Sequence, residues 1–172
     1  MSDMLIRILA GFFLFSFIGC TSQTPTLSNT DILTACERLV AFYPVPRDSL
    51  DGSTYGNMFT SDGEFILRGA TTKGREKIVD QFLARASQNT TRHVTGSINI
   101  SKLDETSATG ISYAMVFQSQ AVDKAKPHAL DTKTLLAVVS YEDKFSFDGE
   151  RCFFTQRKVN IDFLNSQNNN EQ

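Results

Sequence analysis

The stretch Met58-Phe59-Thr60-Ser61-Asp62-Gly63-Glu64-Phe65, followed by Lys73-Gly74-Arg75-Glu76-Lys77-Ile78 and by Thr91-Arg92-His93-Val94-Thr95, decides how this chain is read. Phe59 to Gly63 reads as the end of a short helix running into a turn, with Gly63 free to take φ > 0. Residues 64–68 then alternate as a strand. Residues 74–87 carry the 3.6-residue spacing of an amphipathic helix, with Ile78, Phe82 and Leu83 on one face. His93 opens the next strand, near the start of what reads as a sheet.

Outward from this stretch, residues 31–43 form a first helix, capped by Thr30 or Asp31, with Ile32, Cys36, Leu39, Val40 and Tyr43 on its apolar face. Pro44 and Pro46 stop it. A short second helix is expected over 53–59. Beyond the long helix the chain reads as strands over 91–103, 108–120, 135–147 and 151–163. Asp148-Gly149 supplies a hairpin turn between the last two, and 121–132 a polar loop that carries His128. Helices first and strands after make an α+β domain with its helices on one face of a mainly antiparallel sheet.

The ends carry a different message. Arg7 gives a slight positive start, and residues 8–18 are apolar but too short for a spanning helix, which needs about 20 residues. Phe17-Ile18-Gly19-Cys20 resembles a bacterial lipobox, although Phe17 stands where that pattern prefers Leu. Residues 1–20 are therefore expected to be a lipoprotein signal peptide, with Cys20 as the lipidated residue. Thr21 is not the Asp of an inner-membrane retention signal, so the outer membrane is the expected address, with the domain facing the periplasm or exterior. Residues 21–30 read as a polar tether, 31–164 as one domain, and 165–172 as a polar tail.

Composition removes several function classes. The formal net charge is −2 and there is no basic run interleaved with aromatics, which argues against nucleic acid as a partner. No Gly-rich phosphate loop or dinucleotide fingerprint is present, so no cofactor is expected. Two histidines far apart, with no Cys or Asp/Glu at ligand spacing, argue against a metal site. Cys36 and Cys152 remain in the mature domain, and an oxidising compartment permits a disulfide between them. Buried free cysteines are common, and two free thiols are the favoured reading.

The order F-x-x-D-G-x-F, K-G-R-E-x-I and R-H at Phe59, Lys73 and Arg92 resembles the SnoaL-like group of the NTF2-like superfamily. The closing residues Tyr141 to Phe145 and Asp148 to Val159 match that family's last strands, with Cys152 where it usually has Trp. The resemblance covers most of 31–164. It implies a strongly bent sheet wrapped round the helices as a cone with a pocket inside, and a homodimer through the outer face of the sheet. Phe59, Phe82, Met115, Phe117 and Phe154 are the apolar side chains expected to line that pocket.

Some members of this family are dehydratases, lyases or isomerases that use an Asp–His pair, joined in bile-acid dehydratases by a Tyr and an Arg. Tyr43, Asp48, His93 and Arg157 match that set in order and approximate spacing. The chemistry explains the residue types. Removing a proton beside a leaving group needs a base such as His, and a carboxylate on one ring nitrogen fixes the tautomer. A phenol donates to a carbonyl or a departing hydroxyl, and a cation stabilises an enolate or a carboxylate on the substrate. Plainer roles exist for each: His93 as a hydrogen-bonded strand histidine, Asp48 or Asp51 as a cap, Tyr43 as core, and Arg157 as the partner of Asp143. The function expected is a cofactor-independent dehydratase, lyase or isomerase acting on a small hydrophobic substrate. The alternative is a non-catalytic ligand-binding or protein-interaction module anchored to the membrane.

Overall fold

The computed structural model describes residues 29–86, 89–120 and 134–165. The signal segment with Cys20, the tether up to residue 28, the loop carrying His128 and the polar tail beyond residue 165 lie outside the described residues. The element order is α1 (Asn29–Phe42), α2 (Pro44–Ser49), α3 (Gly52–Gly56), β1 (Phe59–Leu67), β2 (Ala70–Lys73), α4 (Arg75–Ala86), β3 (Asn89–Lys102), β4 (Ser107–Gln120), β5 (Leu135–Phe147) and β6 (Cys152–Leu164). The six strands form one sheet in the order β2-β1-β6-β5-β4-β3. Every pairing is antiparallel except β1 with β6, which is parallel. This is the α+β domain that the order of helices and strands predicts, and the NTF2-like cone that the family resemblance implies.

Bulges bend the sheet. The register shifts in β3 between Thr95 and Ile98, and in the β5–β6 ladder between Val138 and Val139 and between Lys144 and Phe145. Each shift adds local twist and lets the long strands curl round the helices. Period-2 alternation then sends one face inward. Along β5 Ala137, Val139, Tyr141, Asp143, Phe145 and Phe147 are all buried, and the residues between them are not. Ile32, Cys36 and Val40 of α1 and Ile78 and Phe82 of α4 close the core from the other side.

Several expectations from sequence are corrected here. Pro44 does end α1, but it also starts α2, because a proline at the first helical position has no N–H to leave unsatisfied. Phe59 to Gly63 is not a helix end and turn but the start of β1, and the second helix expected over 53–59 closes at Gly56. Gly63 has no positive φ. It is buried at a bulge, where an added Cβ would stand 3.2 Å from the Phe154 carbonyl oxygen and from Phe59 Cβ. Close approach of backbones, and not turn geometry, calls for glycine there. The β1–β2 hairpin, turning at Arg68-Gly69, was not anticipated. Leu83 is 41% exposed instead of sharing the buried face of Ile78 and Phe82. Finally, Cys36 and Cys152 are not free thiols. They form a disulfide with their Cα atoms 4.9 Å apart, tying α1 to the start of β6.

Candidate active site

α2 is six residues long, too short to hold itself, and it is tied to β3 through Asp48. Asp48 accepts from the His93 backbone N–H at its Oδ2 (2.7 Å), and from the Thr91 hydroxyl at its Oδ1 (3.1 Å). The same Oδ1 lies 2.6 Å from His93 Nδ1. Asp51, the competing candidate, caps α3 by accepting from the Thr54 N–H at 3.0 Å.

The pair is nearly sealed, with the His93 side chain 7% and the Asp48 side chain 10% exposed. Burial pushes the Asp48 carboxyl up, but the hydrogen bonds and positive potential from His93 outweigh it and hold the group below its usual value. An ionised carboxylate on Nδ1 assigns the ring proton to that nitrogen. Nε2, which has no hydrogen-bond partner among the described residues, is left as the basic nitrogen.

His93 lines a cavity of about 600 Å³. The wall is polar at Tyr43, Tyr141, Arg47, Arg68, Arg85, Gln118 and His93, and apolar elsewhere, including Phe65, Val116, Val139, Val159 and Ile161. None of the five side chains expected to line it does so. Phe59, Phe82 and Phe154 are buried in solid core, Met115 is 43% exposed on the opposite face of the sheet, and Phe117 is absent from the wall. Period 2 explains the last two: Val116, between them on β4, is the residue that points in. A larger, shallower groove of about 760 Å³ runs beside α1 and the β5–β6 turn, but it contains no histidine.

Tyr43 lines the cavity and meets the His93 ring edge-on, with centroids 6.3 Å apart. Arg157 does not line it. Its Nε and Nη2 donate to the two Asp143 carboxylate oxygens at 3.0 Å each, both side chains are 1% exposed, and its guanidinium stacks on Tyr43 (3.9 Å), Tyr141 (4.1 Å) and Phe154 (4.3 Å). The role expected of Arg157 as a charge stabiliser facing substrate is corrected accordingly: it is a buried ion-pair partner behind the tyrosine wall. Burial pushes the Asp143 carboxyl up, and the arginine offsets only part of that. Sequence reasoning also missed Arg47, whose guanidinium lies over the Phe82 ring at 4.6 Å and which does reach the cavity. Its position one residue before Asp48 was the available signal. Among the described residues no three His, Cys, Asp or Glu side chains are grouped so as to hold a metal ion.

A family model described as a SnoaL-like domain matches residues 30–158, three quarters of the chain. The chain belongs to the SnoaL-like domain family. That family includes polyketide cyclases and dehydratases. Among solved structures, this SnoaL-like domain is similar to a protein of unknown function from Mycobacterium tuberculosis (24% identity, TM-score 0.63, 76% of each chain covered). It is similar to a protein provisionally named a scytalone dehydratase from Novosphingobium aromaticivorans (17% identity, TM-score 0.63, 76% of this chain and 83% of that one). A third similar structure, from Catenulispora acidiphila, is a complex with S-DNPA (17% identity, TM-score 0.56, 75% and 92% covered). At these identities the likeness establishes the fold alone. No curated protein matches the SnoaL-like chain significantly.

Proposed function

We propose that this SnoaL-like protein is a cofactor-independent acid–base enzyme, a dehydratase, lyase or isomerase, with His93 as base and Asp48 as its orienter. The observation that carries the reading is the 2.6 Å contact from Asp48 Oδ1 to His93 Nδ1, on an imidazole that itself lines the cavity. In a dehydration, Nε2 takes the proton from the carbon beside a carbonyl. The carbon–oxygen bond then breaks, and the Tyr43 hydroxyl protonates the departing hydroxide to give water. The imidazolium returns its proton to the Tyr43 phenolate, so both groups end as they began. Asp48 stays ionised throughout and offsets the charge on the ring.

The test is a panel of apolar β-hydroxy carbonyl compounds, followed by the ultraviolet absorbance of the conjugated product. His93→Ala and Asp48→Asn are each expected to lower turnover about 10²–10⁴-fold. Absence of turnover across the panel, or equal turnover in His93→Ala, would overturn the enzyme reading. The second reading is a binding module, and the position of Arg157 favours it: the cation of the expected set does not face the cavity. Ligand retention by His93→Ala without any turnover in wild type would select it.

We also propose export and lipid anchoring through Cys20, with the outer membrane as the address. The Cys36–Cys152 disulfide supports this reading, because such bonds persist in oxidising compartments. Dimerisation through the outer sheet face is proposed on the exposed apolar row Ile111, Tyr113 and Met115.

A further inference from the structure

The wall of the His93 cavity holds three arginines, Arg47, Arg68 and Arg85, and no aspartate or glutamate. They come from three separate elements: α2, the β1–β2 turn and the last turn of α4. None of the three forms an ion pair with a described carboxylate, whereas Lys73, Lys102, Lys158 and Arg157 all do. Asp48, on the far side of His93, is hydrogen-bonded through both oxygens to His93 and Thr91 and forms no ion pair with any of the three.

Arg68 adds an observation of a different kind. Leu67 pairs with Ala70, so Arg68-Gly69 is a two-residue hairpin turn, and both residues have positive φ, 50° and 79°. Such turns favour Asn-Gly, and a long side chain in the left-handed region costs about 1 kcal/mol. The chain nevertheless places an arginine there, at the rim of the cavity. Arg85 is likewise exposed at the rim, while Arg47 is half-buried, braced on the Phe82 ring beside the Tyr43 and Tyr141 phenols.

We propose that the cavity selects an amphipathic anion, an apolar body carrying one acidic head group, received by Arg47 and drawn in by Arg68 and Arg85. The proposal rests on the reading of this cavity as the ligand site, and it narrows the ligand from hydrophobic to hydrophobic and acidic. Charge-assisted hydrogen bonds in a partly desolvated site are worth enough to discriminate a head group, and a guanidinium suits a carboxylate or phosphate fork. The apolar wall accepts the body without regard to its detail.

The experiment uses decanoate, decanol and decylamine, which share a body and differ in charge, with affinities measured by calorimetry. Decanoate is expected to bind about 10-fold or more tightly than decanol, and decylamine most weakly. Arg47→Met should erase the preference while keeping decanol binding. Arg68→Asn, which suits the turn better, and Arg85→Gln should each weaken decanoate and reduce its salt dependence. Val139→Trp fills the cavity and should abolish binding of both decanoate and decanol. Equal binding of the two probes, both blocked by Val139→Trp, would overturn the anion proposal and leave the ligand cavity standing. Binding that ignores Val139→Trp, or no binding of any probe, would overturn both together. Circular dichroism of each variant confirms that the fold is kept.

Discussion

Asp48 illustrates how one carboxylate serves both stability and chemistry. Its folded pKa lies below the model-peptide value of 3.8, so its ionised form adds stability that is fully present above that value. The contribution fades as pH falls through the lowered folded value. Asp48→Asn should therefore destabilise the domain by about 1–3 kcal/mol at neutral pH, with the gap to wild type constant down to about pH 5 and narrowing below it. Urea denaturation across that range measures the gap, and one that stayed constant down to about pH 2 would contradict the assignment. Arg157 makes the opposite kind of case. Removing it leaves Asp143 buried without a counter-charge, so Arg157→Met is expected to cost about 3–5 kcal/mol. Arg157→Met with Asp143→Leu should recover most of that loss, since two apolar groups need no partner there. If the double variant is no more stable than the single one, the pair is not the reason.

At the scale of elements, the disulfide joins two that touch nowhere in sequence, its cysteines 116 positions apart. It pins α1 across the turn end of the β5–β6 hairpin. Reduction, or Cys36→Ser with Cys152→Ser, is expected to lower stability by about 2–5 kcal/mol. The urea midpoint with and without dithiothreitol reads this directly, and an unmoved midpoint would show that the tie contributes nothing. Neither cysteine lines the His93 cavity, so ligand affinity at a temperature where both forms are folded should stay the same.

For the whole molecule, the proposed anchor and the proposed dimer can be tested on one protein. Cys20→Ser should move the chain from the membrane fraction to the soluble one, because several acyl chains anchor firmly and none anchors not at all. Light scattering on that soluble form should give twice the chain mass of 19.1 kDa, less the leader if it is cleaved. Met115→Lys, on the exposed face, should return it to a monomer. A Cys20→Ser protein that stays membrane-bound would refute the lipid anchor, and a monomer before the Met115 change would refute the dimer. No described helix is long and apolar enough to cross a membrane.

The alternation of β5 and the spacing of Ile32, Cys36 and Val40 were plain in the sequence because burial on one face repeats with the period of the backbone. Strand 135–147 was bounded correctly for the same reason, with the Asp148-Gly149 turn closing it. Asp48 and His93 could be named from motif order, 45 positions apart, but their contact is a property of how α2 leans on β3. The two cysteines needed Cα atoms a few ångströms apart, which no spacing reports. Likewise, Arg157 and Arg47 are interchangeable by composition. The paired strands bring Arg157 against Asp143 and seal it, while α2 turns Arg47 toward the cavity. Periodicity is local and survives in the chain; which charge meets which partner depends on contacts between elements distant in sequence, and those exist only once the sheet has closed.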